Sequence, residues 1–252
     1  MAPPQTWEEL MKGPAYIINM DRDKDRFDTS YKRVSDAGFT NVLRWRAIDA
    51  KNDDVRAAWE IHGSPRFDKT DGKFLDIVGH PYKQGTLLSH LALWKHIIES
   101  NIDWAVVFED DLLFHKDWHQ LAMQYFNATP KDYGLCYMGH HCGCGKPYQI
   151  LKVPVYCTHA TIVTREGAMC LYNKFINDEN GVRAIDCLIN HYMVMSLVHP
   201  TNKLHEFCEW YAWNAEMYPD TTANKHPDHV NKDVGLVFQD NIVSSASYTQ
   251  TL

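Results

Sequence analysis

Three consecutive carboxylates, Glu109-Asp110-Asp111, close the apolar run Trp104-Ala-Val-Val-Phe108. The run has the length and β-branched content of a buried strand. Strands of open α/β sheets present their C-terminal ends to the ligand crevice. Adjacent acids placed there repel one another and resist desolvation unless a cation sits among them. Hard divalent ions such as Mn²⁺ or Mg²⁺ take oxygen ligands and bridge carboxylates to substrate phosphates. The pattern points to a metal-dependent enzyme acting on a nucleotide diphosphate. The plainer alternative is an acidic strand end facing solvent.

Other groups with chemical potential are scattered along the chain. Asn19-Met-Asp-Arg22 and Arg26 follow the apolar run Ala15-Tyr-Ile-Ile18, and a strand, polar turn and helix in that order form a common phosphate-binding context, although taken alone these residues read first as an exposed, salt-bridged helix start. There is no Gly-x-Gly-x-x-Gly and no Walker-type lysine loop, so Rossmann and P-loop readings lose their support. His140-His-Cys-Gly-Cys144 offers soft zinc ligands, but its spacing is poor and no second pair stands at finger distance. A loop lining the cleft is the preferred reading. His159 sits inside an apolar run and reads as a satisfied core histidine. Asp186 stands at the start of an apparent helix, as a dipole complement or as a general base.

The elements that must position these groups alternate between strand and helix signals, the pattern of an α/β fold. Strands are expected at 15–20, 42–48, 104–108, 135–139 and 155–163. Helices are expected at 25–37, stopped by Gly38, at 86–100, 117–127, 165–175 and 183–195. Residues 51–82 lack periodicity and read as a flap or insertion. Residues 200–252 read as a loop-rich C-terminal layer on a single domain spanning 1–252.

Hydrophobic residues make up 45% of the 252, enough for a substantial core. The net charge of −7 and the lack of any long basic block argue against nucleic acid as a partner. The start of the chain does not read as a secretory signal, and no apolar run approaches the roughly 18 residues of a membrane span. Peripheral membrane contact stays open. Seven cysteines without repeated spacing suggest reduced thiols and a cytoplasmic setting, where the Asn127 sequon would be incidental.

Taken in order, the segments resemble glycosyltransferase family 25, the group containing lipooligosaccharide and collagen hydroxylysine galactosyltransferases. Tyr16-Ile-Ile-Asn-Met-Asp-Arg22 with Arg26 is similar to the family's opening strand and turn. Arg46-Ala-Ile-Asp49 is similar to its next element, and Gly85-Thr-Leu-Leu-Ser-His-Leu-Ala-Leu-Trp94 to its Gly-x-x-x-Ser-His-x-x-x-Trp helix. Phe108-Glu-Asp-Asp111 matches its acidic motif. Leu135–Gly139, Thr158–Ala168, Ala184-Ile-Asp186 and Gly235–Gln239 with Ser244-Ser245 follow in the expected sequence. Residues 51–82, 140–144 and 206–218 match no family motif, and acceptor choice would lie there.

The resemblance implies a GT-A-like α/β fold, a mixed and mostly parallel sheet flanked by helices. It implies transfer of galactose or glucose from a UDP-sugar to an acceptor hydroxyl with inversion. Glu109 and Asp111 would flank Mn²⁺ or Mg²⁺, with His226 completing the shell. Asp110 would point the other way if strand geometry persists. Asn19, Arg22, Arg26, Asp49 and Asp110 would border the nucleotide. Ser89 and His90 would sit in the first turn of their helix, its positive end towards the donor. Asp186 would be the base. The acceptor could be a glycan, a lipid-linked saccharide or a protein hydroxyl. A metal-dependent phosphoester hydrolase or nucleotidyl enzyme, and a non-catalytic carbohydrate-binding module with stacking aromatics, are the rival readings.

Overall fold

The computed structural model describes residues 2–53, 57–58, 61, 81–141, 148–178, 184–215 and 233–239. Most of the expected flap at 51–82 lies outside the described residues, as do Cys142, Cys144 and His226.

A short helix α1 (Trp7–Lys12) leads into β1 (Pro14–Asn19). Helix α2 (Lys24–Asp36) follows and ends before Gly38, whose φ of 107° belongs to the left-handed region open to glycine. Then come β2 (Asn41–Arg46), the long helix α3 (Pro81–Glu99) and β3 (Trp104–Glu109). The chain continues through β4 (Leu112–Phe114), α4 (Trp118–Ala128), β5 (Leu135–His141), β6 (Gln149–Leu151) and β7 (Tyr156–Thr164). Helices α5 (Arg165–Ile176) and α6 (Ile185–Val198) precede β8 (Trp210–Asn214), β9 (Asp233–Gly235) and β10 (Val237–Gln239).

The main sheet has the order β2-β1-β3-β7-β5-β8-β6, with β9 also paired to β5. Strands β1, β2, β3, β5 and β8 run one way, while β6, β7 and β9 run the other. The helix-flanked mixed sheet expected from sequence therefore forms, with β7 entering antiparallel between β3 and β5. Strands β4 and β10 form a separate antiparallel ribbon.

Both faces of the sheet are covered, which is why its strands read as continuous apolar runs rather than as alternating ones. On one face, Leu87, Leu91 and Trp94 of α3 pack with Leu171 of α5 and Leu188 of α6. They meet Tyr16, Ile18, Val107, Tyr137 and Val163. On the other, Val34 of α2 and Trp118 and Phe126 of α4 cover Ala15, Ile17, Val106, Phe108 and Ile162.

Two boundaries differ from the sequence reading, each for a physical reason. Helix α3 begins at Pro81, more than a turn before the expected start at 86. Pro at a helix start is well tolerated, and Gly85 inside the first turns does not break the helix. Its real role is clearance, because a Cβ there would stand 2.5 Å from the Ile48 carbonyl oxygen. Within 200–252, residues 210–214 form β8, paired to β5 and β6 inside the main sheet. Trp210 and Trp213 are buried, so no polar alternation marks this strand.

Candidate active site

The parallel ends of β1, β2 and β3 bring the acidic tripeptide beside the first strand–helix turn. Ile18 pairs with Glu109, and Asn19 with Arg46. Strand β3 stops at Glu109, and Asp110–Asp111 turn into β4. Strand alternation ends with it, and the three acids part company.

Glu109 continues the α3-facing row of Ala105 and Val107. It accepts the Thr158 hydroxyl at 2.8 Å and lies 3.4 Å from Nε2 of His90, itself 2% exposed. Burial works against its ionisation, but the His90 imidazole and the Thr158 hydroxyl outweigh it and hold its pKa below the usual range.

Asp110 and Asp111 instead meet α2. Asp110 accepts from the Asn19 amide at 2.6 Å and from the Arg26 guanidinium, while the Ser30 hydroxyl donates to its backbone carbonyl at 2.7 Å. Burial raises its pKa against the pull of Arg26 and Asn19. Asp111 is 7% exposed, with Oδ2 3.8 Å from Arg26 and Oδ1 buried without a hydrogen-bond partner among the described residues. Burial, then the charges of Glu109 and Asp110, push its pKa up to about 8. Arg33 donates to the Leu112 carbonyl at 2.9 Å. Arg26, Ser30 and Arg33 thus recur on one face of α2 and grip the acidic turn. Their helical spacing is a signal that sequence reading could have used. A cavity of about 210 Å³, lined by Asp25, Arg26, Thr29, Arg33 and Asp110, opens on this flank.

Asn19 joins the strand ends. Its amide donates to the Asp23 carbonyl at 2.9 Å as well as to Asp110, and its Oδ1 accepts Arg44 Nε at 2.9 Å. It is 1% exposed, a buried polar group with its bonds made. Arg22 pairs with Asp49 at the exposed rim, and Asp49 also accepts from Asn52 at 2.8 Å.

Ser89 and His90 lie in the interior of α3, because the helix starts earlier than expected. The expectation that both stand in its first turn is therefore not met. Ser89 Oγ donates to the Gly85 carbonyl at 2.5 Å and accepts the Ile48 N–H at 2.8 Å, which ties down the segment carrying Asp49. Asp186 occupies the first turn of α6 and accepts the Cys187 N–H at 2.8 Å, joining its own helix start rather than the acidic turn. Its charge bears on the buried Tyr137 of β5. His159 is fully buried and pairs with the Val237 carbonyl at 2.9 Å, a core histidine as expected. Thr158 carries no local sequence signal of its role.

A wider depression of about 440 Å³, lined by Thr6, Glu8, Glu9, Lys12, Gly13 and Trp104, lies at the opposite ends of β1 and β3, away from the acids. Trp94, Trp118, Trp210 and Trp213 are all buried, so they are core rather than sugar-stacking faces.

Hard oxygen donors and the partnerless Oδ1 of Asp111 fit a divalent cation, as does a carboxyl that ionises only with difficulty in its absence. Among the described residues no group of three or more His, Cys, Asp or Glu gathers as a metal site. Asp111 thus fits as one ligand of a shell completed by others.

A family model described as glycosyltransferase family 25 (LPS biosynthesis protein) matches residues 12–141. Procollagen galactosyltransferase 2 of Mus musculus is 26% identical over 137 residues, covering 49% of this chain. The chain spans only 20% of that relative's length. A glycosyltransferase involved in glycosylation of the major capsid of PBCV-1 aligns over 95% of this chain and 100% of its own, at 6% identity and a TM-score of 0.44. The apo form of mouse xyloside xylosyltransferase 1 aligns over 88% and 82%, at 10% identity and a TM-score of 0.41.

Proposed function

This chain belongs to glycosyltransferase family 25, and we propose that it transfers galactose or glucose from a UDP-sugar to an acceptor hydroxyl with inversion. The observation that carries the reading is the buried Asp111, whose Oδ1 lacks a partner among the described residues and which stands beside two further carboxylates at the parallel strand ends.

In this reading Asp111 would hold Mn²⁺ or Mg²⁺ together with His226, which lies outside the described residues, while Glu109, turned to His90 and Thr158, would add charge near the ion rather than a direct ligand. The ion would clamp the donor's two phosphates and offset charge on the departing UDP. The protein's own groups do the rest. Arg26 fixes Asp110 and Asp111 against α2, so the acidic turn stays ordered while it carries excess negative charge. His90 and Thr158 orient Glu109 and keep it ionised. Asn19, Arg22 and Asp49 border the nucleotide, with Ser89 holding the Asp49 segment in place. Asp186 takes the proton from the acceptor hydroxyl as its oxygen attacks the anomeric carbon from the face opposite UDP. Glycan, lipid-linked saccharide and protein hydroxyls are the acceptor classes.

The test is product release from a panel of UDP-sugars, with Mn²⁺ and then with EDTA. Metal-dependent appearance of UDP from one sugar is expected, since transferases hydrolyse their donors slowly without acceptor. Phosphate or nucleoside monophosphate as the product would instead identify a hydrolase or nucleotidyl enzyme. Absence of both turnover and UDP–Mn²⁺ binding would sink the reading.

A further inference from the structure

Two cysteines far along the chain meet at the other pole of the sheet. Cys170 stands on α5, one turn beyond Gly167, and Cys208 lies just before β8. Gly167 packs directly on Gly134, where a Cβ would meet the neighbouring carbonyl oxygen at 1.9 Å. A Cβ on Gly134 would in turn meet the Cβ of Cys208 at 2.6 Å and its Sγ at 3.0 Å. The two glycines thus let α5 close onto the start of β5, and β8 is paired alongside through Leu135 and Trp210. As a result the Cys208 N–H donates to Cys170 Sγ at 3.2 Å, which brings the two cysteines side by side. Both are free and partly exposed.

We propose that Cys170 and Cys208 form a redox-active dithiol, which low-molecular-weight disulfides convert to an intramolecular disulfide stapling α5 to the segment entering β8. The hydrogen bond from Cys208, aided by Lys174, lowers the pKa of Cys170, and the same contact with burial raises that of Cys208. Cys170, whose sulfur accepts the Cys208 N–H, is the attacking thiolate and Cys208 the resolving thiol. In the first exchange, Cys170 sulfur bonds one sulfur of glutathione disulfide and expels a glutathione thiolate. In the second, Cys208 sulfur displaces the remaining glutathione and its proton passes to that leaving thiolate. The two protein thiols lose two electrons, and two glutathione thiols leave.

The experiment exposes the whole protein to glutathione disulfide, traps free thiols by alkylation and maps the peptides. A Cys170–Cys208 linkage that dithiothreitol reverses is expected. The oxidised protein should melt about 5–10 °C higher, as closing a loop of this length constrains the unfolded chain. Cys208→Ser should stop at a mixed disulfide on Cys170, while Cys170→Ser should leave Cys208 unmodified. Wild-type protein in which both thiols stay alkylatable would overturn the proposal. So would one in which Cys170 holds glutathione indefinitely, or links to a different cysteine. Mapping the wild type needs no variant to fold, so the test does not depend on either substitution.

Discussion

Replacing Asp111 by Asn should stabilise the metal-free protein while abolishing transfer. In the fold this carboxyl titrates at about 8, against 3.8 for the free group. The folded state holds the proton more tightly than the unfolded chain. The associated stability is therefore full below about pH 4 and is lost as pH rises towards 8. At about 1.4 kcal/mol per unit, the accumulated penalty is at most about 4 kcal/mol at pH 7 and about 1.5 kcal/mol at pH 5. An amide matches the shape of the protonated carboxyl and carries no charge, so Asp111→Asn escapes that penalty. The pull of Arg26 is already contained in that value, and relaxation of the surrounding dipoles and water reduces the gain to about 2 kcal/mol at pH 7. For a chain of this size that is a rise in Tm of about 4–8 °C. Melting curves in EDTA at pH 5 and pH 7 measure it, with the larger gain expected at pH 7. Added Mn²⁺ should raise the Tm of the wild type and leave the variant unmoved. A variant that melts lower at pH 7, or gains equally at both pH values, would refute the picture of a carboxyl starved of a counter-charge.

Three further substitutions probe the surrounding structure. Asp186→Asn should lose turnover with UDP binding retained by calorimetry; lost UDP binding would move Asp186 into the donor site. Ser89→Ala strands the half-buried Ile48 N–H, which should cost about 1 kcal/mol in urea unfolding and raise the donor KM through a looser Asp49 segment. A variant matching wild type in both would remove the clamp role. Gly85→Ala drives a methyl to 2.5 Å from the Ile48 carbonyl oxygen. A loss of about 1–3 kcal/mol is expected, despite alanine's better helix propensity. Increased stability would mean that α3 and the 47–49 segment are not packed as described.

Much of the architecture could be read before any coordinates, because its signals are local. The apolar runs of β1, β3, β5 and β7 and the 3.6-residue stripe of α3 show in short windows of sequence. So does the stop at Gly38, and so does the run of acids closing β3. Strand β8 escaped because a segment buried on both faces has no alternation, and its partner β5 lies some seventy residues earlier. The part played by Gly85 was hidden for a related reason: its need for clearance comes from Ile48, a contact absent from any local window.

Local sequence is enough to say which residue types reach the strand ends: three acids, two arginines and an asparagine in an order that resembles one enzyme family. How they divide depends on the folded packing. The turn after Glu109 sends that acid to His90 and Thr158 on one face, and Asp110 and Asp111 to the arginine face of α2 on the other. Spacing along a chain sets what can be near. Desolvation and charge at a particular burial depth, which depend on everything packed around the site, set which carboxylate is left wanting a cation.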